Sequence, residues 1–228
     1  MQCGNKRKRY SIQKSNLNFS FKPPKPRVVF KLPVLVFEVK MVIKLNLIAA
    51  ASENMGIGKN NNLPWRLQKE MEYFTRMTST TNDPNKKNVV IMGRKTWDSI
   101  PKKYKPLNNR INMVLSRSEL DLSKYTDVFS FTSLSSCLKR LEDDDFKTKY
   151  ESVWVIGGSS IYQETMKSEN FYRLYLTRIL KDFECDTFFP ELPKDLEKVT
   201  DPAVSEEKQS ENNIDYTFNV YQNTTFQK

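Results

Sequence analysis

Glu70 is the residue best placed to move a proton. After Trp65, a period near 100° per residue puts Leu67, Met71, Phe74 and Met77 on one apolar stripe, with Glu70 projecting between Phe74 and Met77. Lys69, Glu72 and Arg76 fall on the opposite face. A carboxylate held in an apolar stripe loses hydration, which raises its pKa toward the range where it donates a proton near neutrality. A glutamate at the stripe's margin that reaches water fits the same spacing. The chain contains no histidine, which excludes imidazole bases, Ser-His-Asp triads and His-based metal sites. Thr177, in Leu176-Thr177-Arg178-Ile179, could offer a hydroxyl to a buried acid, although a β-branched residue in a strand needs no such reason. Arg110 follows Pro106-Leu107-Asn108-Asn109 and could clamp a carboxylate bidentately.

A second group of residues suits phosphate. Glycine occurs only six times, and five of the six fall at Gly56 and Gly58, at Gly93 and at Gly157-Gly158, each just past an apolar run. Open α/β sheets bind ligands at the carboxyl ends of their strands, where a close backbone approach is needed. Val153 to Ile156 runs into Gly157-Gly158-Ser159-Ser160 and a helix start, whose outward N–H groups suit a pyrophosphate. The segment is not Gly-x-Gly-x-x-Gly, and a tight turn capped by Ser159 or Ser160 is the plainer alternative. Gly93-Arg94-Lys95-Thr96 adds two cations for phosphate oxygens and a hydroxyl to cap the next turn. Ser116-Arg117 follows Ile111 to Leu115 where NAD-binding folds place an acid for the ribose 2′-hydroxyl, and a cation there favours NADP. A basic cluster alone is usually solvated surface; here three phosphate-suited loops, two of them basic, lie at successive strand ends.

Short apolar runs alternate with helical stretches and supply the frame for these groups. The expected strands are Val42 to Ala51, Val89 to Met92, Ile111 to Leu115, Val128 to Phe131, Val153 to Ile156 and Tyr172 to Ile179. Helices are expected from about Arg66 to Ser79, around Leu134 to Leu141 and from about Ser160 to Met166. That alternation argues a buried, mostly parallel sheet. Ile214, Tyr216, Phe218 and Val220 alternate with polar residues, which predicts an antiparallel edge strand.

The formal charge of +10 is unevenly distributed. Residues 1–40 hold ten Lys or Arg and one acid, whereas residues 41–228 hold 27 basic and 26 acidic residues. The folded part, expected over 41–228, is nearly neutral, which weighs against a nucleic-acid face there. The leader, residues 1–40, reads as a basic, Pro-containing disordered extension or as upstream sequence joined to a protein that begins at Met41, with an organellar presequence or a nuclear signal as alternatives. Its stretch from Val28 to Phe37, broken by Lys31 and Pro33, is too short to span a bilayer. Three scattered cysteines, Cys3, Cys137 and Cys185, make neither a disulfide framework nor a metal motif and fit a reducing compartment such as the cytoplasm.

Taken in order, Asn54-Met55-Gly56-Ile57-Gly58-Lys59-Asn60, Leu63-Pro64-Trp65, Glu70, Tyr73-Phe74, Ile91-Met92-Gly93-Arg94-Lys95-Thr96-Trp97, Arg110-Ile111-Asn112, Leu115-Ser116-Arg117, Ile156-Gly157-Gly158-Ser159-Ser160 and Asp186-Thr187-Phe188-Phe189-Pro190 closely resemble the animal dihydrofolate reductases. The resemblance runs from Met41 essentially to Lys228. It implies a single α/β domain with an eight-stranded, mainly parallel sheet, an antiparallel C-terminal edge strand and about four flanking helices. It implies a monomer, without metal or flavin, that reduces the small molecule 7,8-dihydrofolate to tetrahydrofolate with NADPH and so supports one-carbon metabolism.

By the same resemblance Glu70 binds the pterin and promotes protonation of N5 through water, with Thr177 as its hydroxyl partner and Trp65 ordering that water. Leu63, Glu70, Met71, Phe74, Ser99, Ile100 and Leu107 would line the folate cleft, and Arg110 would hold the α-carboxylate of the glutamate tail. Ala50 and the segment Ile57, Gly58, Lys59, Asn62, Leu63 match the loop that contacts the cofactor. Gly93, Arg94, Lys95, Thr96, Ser116, Arg117, Ser118, Ile156, Gly157, Gly158, Ser159, Ser160, Ile161 and Tyr162 match positions that hold NADPH, and the Gly157-Gly158 bond is cis in that pattern. Met71 stands where vertebrate members carry an aromatic, and Asn61-Asn62 replaces a more usual Gly-Asp. A riboflavin-pathway reductase shares the fold and NADPH and is the nearest alternative; nucleic-acid binding through the leader is a different one.

Overall fold

The seven strands and three helices expected from the sequence all form. The computed structural model describes residues 42–226; the basic leader and the roles expected of it lie outside the described residues. Successive elements are β1 (Leu45–Ala51), β2 (Gly56–Gly58), α1 (Gln68–Ser79), β3 (Lys87–Gly93), α2 (Arg94–Ser99), β4 (Arg110–Leu115), β5 (Val128–Phe131), α3 (Leu134–Glu142), α4 (Asp144–Lys147), β6 (Tyr150–Val155), α5 (Ser159–Met166), β7 (Phe171–Ile179), β8 (Thr187–Phe188), β9 (Leu196–Val199), β10 (Gln209–Glu211) and β11 (Ile214–Asn223). Of these, β2, α2, α4, β8, β9 and β10 are short elements that the alternation did not show. The main sheet runs β10-β11-β7-β1-β6-β3-β4-β5, with β9 also paired to β11. β1 and β3 to β7 are linked by parallel pairings, and β11 lies antiparallel to β7. The fold is therefore α/β with a mixed, mainly parallel sheet and an antiparallel C-terminal margin. Short β9 and β10 cover different lengths of the outer side of β11.

Helices cover both faces, which is why the central strands are largely apolar. On one face Leu47, Val89, Ile91 and Met113 pack with Cys137 and Leu141 of α3, Phe146 of α4 and Tyr162 of α5. On the other, Ile48, Val90, Met92 and Val114 pack with Tyr73 of α1 and Trp97 of α2. Adjacent strand residues alternate between these two cores, as the pleat requires. Among the described residues no helix is long and apolar enough to cross a membrane.

The helix α1 starts two residues later than its apolar period suggested. Its N-cap, Leu67, has no polar side chain to offer. Glu211 of β10 instead accepts the first free amides, from Gln68 N at 2.6 Å and Lys69 N at 3.0 Å, and Asn212 Nδ2 donates to Arg66 O at 3.0 Å. A distant carboxylate thus sets the helix start, where unpaired N–H groups and the positive end of the dipole favour it.

Candidate active site

Because the central strands are parallel, their carboxyl ends lie along one edge of the sheet. The loops after β6, β3 and β4 stand side by side there, since Ile91 pairs with Val155 and Gly93 with Leu115. They are also stitched together: Gly93 N donates to Gly157 O at 2.7 Å, and Arg94 Nη1 bonds Ser118 Oγ. The phosphate-suited residues predicted from three separate segments therefore form one continuous rim.

Gly157 anchors this rim. It has φ +117°, where a side chain is strained, and a Cβ there would lie 3.2 Å from Tyr162 Oη. The Gly157-Gly158 bond is cis. α5 starts immediately afterwards with Gly158 as an N-cap that lends no side chain, leaving its first amides directed outward. Arg94, Lys95, Arg117 and Ser118 are exposed beside it, while Ser116 is buried and its hydroxyl donates to Ser118 O at 2.7 Å. Cations, free helix amides and a close-approach glycine together form a donor set that fits a phosphorylated cofactor.

Several sequence expectations need correction at this rim. Thr96 does not cap a turn: it lies inside α2, whose N-cap is Gly93. Neither Ser159 nor Ser160 caps α5; Ser159 Oγ donates to Phe188 O at 2.7 Å, tying the helix to β8. Tyr162 is buried and its hydroxyl donates to Ile48 O at 2.7 Å, so its side chain supports Gly157 from inside the core. Gly56 and Gly58 both lack positive φ; Gly56 is needed because a Cβ would sit 2.3 Å from Cys185 Sγ.

The candidate acid, Glu70, lies on the α1 face of the sheet. Glu70 and Thr177 are buried, and Thr177 Oγ1 donates to Glu70 Oε1 at 3.2 Å. β7 places Thr177 between Ala50 on β1 and Phe218 on β11. Burial pushes the Glu70 carboxyl up to about 7, opposed in part by the Thr177 hydrogen bond. The alternative that Glu70 reaches water at the stripe's margin is thus excluded. The buried face of α1 is in fact turned toward Glu70, because Tyr73 and Thr78 are buried whereas Met71 is 45% exposed. Tyr73 stacks on Phe218 at 4.0 Å between centroids, and this contact sets the rotation of the helix. Trp65 is buried, packs edge-on against Phe183, and presents an indole Nε1 with no acceptor among the described residues.

The remaining expected cleft residues divide by exposure. Phe74, Ile100 and Leu107 are half-buried against the same core as Tyr73 and Trp97. Leu63, like Met71, is exposed. Ser99 is half-buried and donates its hydroxyl to Thr96 O at 2.8 Å. Ala50, Ile57, Gly58 and Lys59 are half-buried and Asn62 is exposed. Their loop is held by β2–β8 pairing, by Asn60 N donating to Asp186 Oδ2 at 2.7 Å and by a Lys59–Glu184 ion pair.

Arg110 is buried at the start of β4. Nε donates to Asn108 O at 2.9 Å and Nη1 to Thr78 Oγ1 at 2.7 Å, and among the described residues no carboxylate pairs with it. Desolvation lowers its pKa to about 10. Asn112, also buried, holds the preceding turn through three hydrogen bonds of 3.0 Å to Leu107 N, Leu107 O and Arg110 O. Thr78 and the structural role of Asn112 went unnoticed in the sequence; the only sign of Thr78 was its place two helical turns beyond Glu70. Among the described residues no group of three or more His, Cys, Asp or Glu side chains could hold a metal ion.

Comparison with known proteins agrees with this geometry. The family model for dihydrofolate reductase matches residues 44–223. The chain is 50% identical over 182 residues to the dihydrofolate reductase of Heliothis virescens, covering 78% of this chain and 97% of that one. It is 51% identical over 187 residues to that of Rattus norvegicus, covering 80% and 98%. The solved dihydrofolate reductase of Schistosoma mansoni superposes with a TM-score of 0.70 at 38% identity, covering 80% of this chain and all of that one.

Proposed function

The chain belongs to the dihydrofolate reductase family, and from that premise we propose that it reduces 7,8-dihydrofolate to 5,6,7,8-tetrahydrofolate with NADPH, using Glu70 to assist protonation of N5. The observation that carries the assignment of the acid is the buried Thr177–Glu70 hydrogen bond. A carboxyl whose pKa lies near 7 exists in both protonation states at neutral pH, as an acid in turnover must.

The chain's own groups divide the work. Glu70 offers two oxygens, one already held by Thr177, to the amino and ring N–H groups of a pterin. Trp65 Nε1, buried without an acceptor among the described residues, suits an ordered water that carries the proton onward, so no direct jump from carboxyl to N5 is needed. Phe74, Ile100 and Leu107 supply apolar walls that keep bulk water out. Arg110 supplies a buried cation for the tail carboxylate.

NADPH, when bound, supplies the hydride that C6 accepts. Gly157, the free amides of α5 and Arg94 or Lys95 would hold its pyrophosphate, and Ser116 with Arg117 would take the 2′-phosphate. The riboflavin-pathway alternative gives no use for a buried arginine beside the cleft, whereas a glutamate tail does. The test is NADPH oxidation by the purified full chain with dihydrofolate as sole acceptor, alongside NADH. Faster turnover with NADPH is expected; no oxidation by folded protein overturns the reading.

A further inference from the structure

The helix α1 carries a second buried polar group besides Glu70. Thr78 lies eight residues on, roughly 12 Å along the axis at 1.5 Å per residue, and is fully buried. Its hydroxyl donates to Phe74 O at 2.8 Å, so its proton is committed within the helix and its lone pairs face outward. Arg110 Nη1 donates to that oxygen at 2.7 Å.

Arg110 is thereby held from two sides, by Thr78 on α1 and by Asn108 O in the turn that Asn112 fixes. A long side chain with several rotamers is reduced to one pose. Its Nη2 edge has no acceptor among the described residues. We propose that Thr78 is a positioning residue, fixing the Arg110 guanidinium so that its remaining edge receives the α-carboxylate of the substrate's glutamate tail. The helix α1 then spaces the two ends of the substrate, with Glu70 at one end and the Thr78–Arg110 pair at the other. This inference rests on the dihydrofolate reading.

Its test compares the full chain with Thr78→Val and Thr78→Ser on dihydrofolate and on a 7,8-dihydropterin lacking the glutamate tail. Valine keeps the shape of threonine and removes the acceptor; serine keeps the acceptor. The expected result is that kcat/KM of the wild type favours the tailed substrate and that Thr78→Val narrows this preference roughly tenfold, mainly through KM, as loss of a hydrogen bond to a charged group implies. Thr78→Ser should restore it. The proposal is overturned if the preference is unmoved in Thr78→Val, if both substrates lose kcat/KM by the same factor, or if serine fails to restore it. Should Thr78→Val not fold, Thr78→Ala is read in the same way, and failure of both to fold overturns the proposal by making Thr78 structural. No turnover of dihydrofolate by the wild type overturns the functional reading instead.

Discussion

Thr177 Oγ1 donates to Glu70 Oε1 across 3.2 Å, joining the strand β7 to the helix α1 where both residues are shut off from solvent. Two opposing influences meet at this contact. Burial favours the neutral carboxyl, and the hydroxyl favours the charged form.

Replacing Thr177 by valine removes only the second influence. The Glu70 pKa should then rise further above 7. The alkaline fall in the rate of hydride transfer to dihydrofolate should move to higher pH, while Thr177→Ser keeps the wild-type profile. A pH–rate profile measured on all three proteins checks this; a shift of the valine variant toward acid contradicts it.

Glu70 also makes stability depend on pH. Its folded pKa, about 7, lies above the ordinary 4.5, so between those values the folded state binds more protons and stability falls as pH rises. Glu70→Gln has no charge to desolvate. It should match the wild type near pH 4.5 and exceed it above pH 7 by on the order of 3 kcal/mol. Denaturant unfolding at both ends of that window measures the difference.

Glu211 offers a prediction away from the chemistry. Its carboxylate is the acceptor for Gln68 N and Lys69 N, so Glu211→Ala should cost about 1 kcal/mol, the usual effect of losing a helix cap. Urea unfolding should show a lower midpoint with an unchanged slope.

What the sequence revealed and what it hid follow from the range of the interactions. The longer strands, the rim of glycines and cations, and Glu70 as an acid set in an apolar helix face were legible because they depend on local period and on residue types clustered within a few positions. The start of α1 was not, because its cap lies on β10, far along the chain. The rotation of α1 was misjudged for a similar reason: counting apolar residues put Met71 inward, but the stacking of Tyr73 on Phe218 turned Tyr73 and Thr78 inward instead. The expected caps at Thr96, Ser159 and Ser160 were also displaced. Short helices that open at glycine left those hydroxyls inside the helix or committed elsewhere.

The central claim is that the buried Glu70 carboxyl assists protonation of the substrate. Single-turnover reduction of dihydrofolate by NADPH, compared between the wild type and Glu70→Gln near pH 7, tests it most directly. The account predicts a folded variant whose rate is lower by about 10²–10⁴-fold. A wild-type rate in that variant would contradict it.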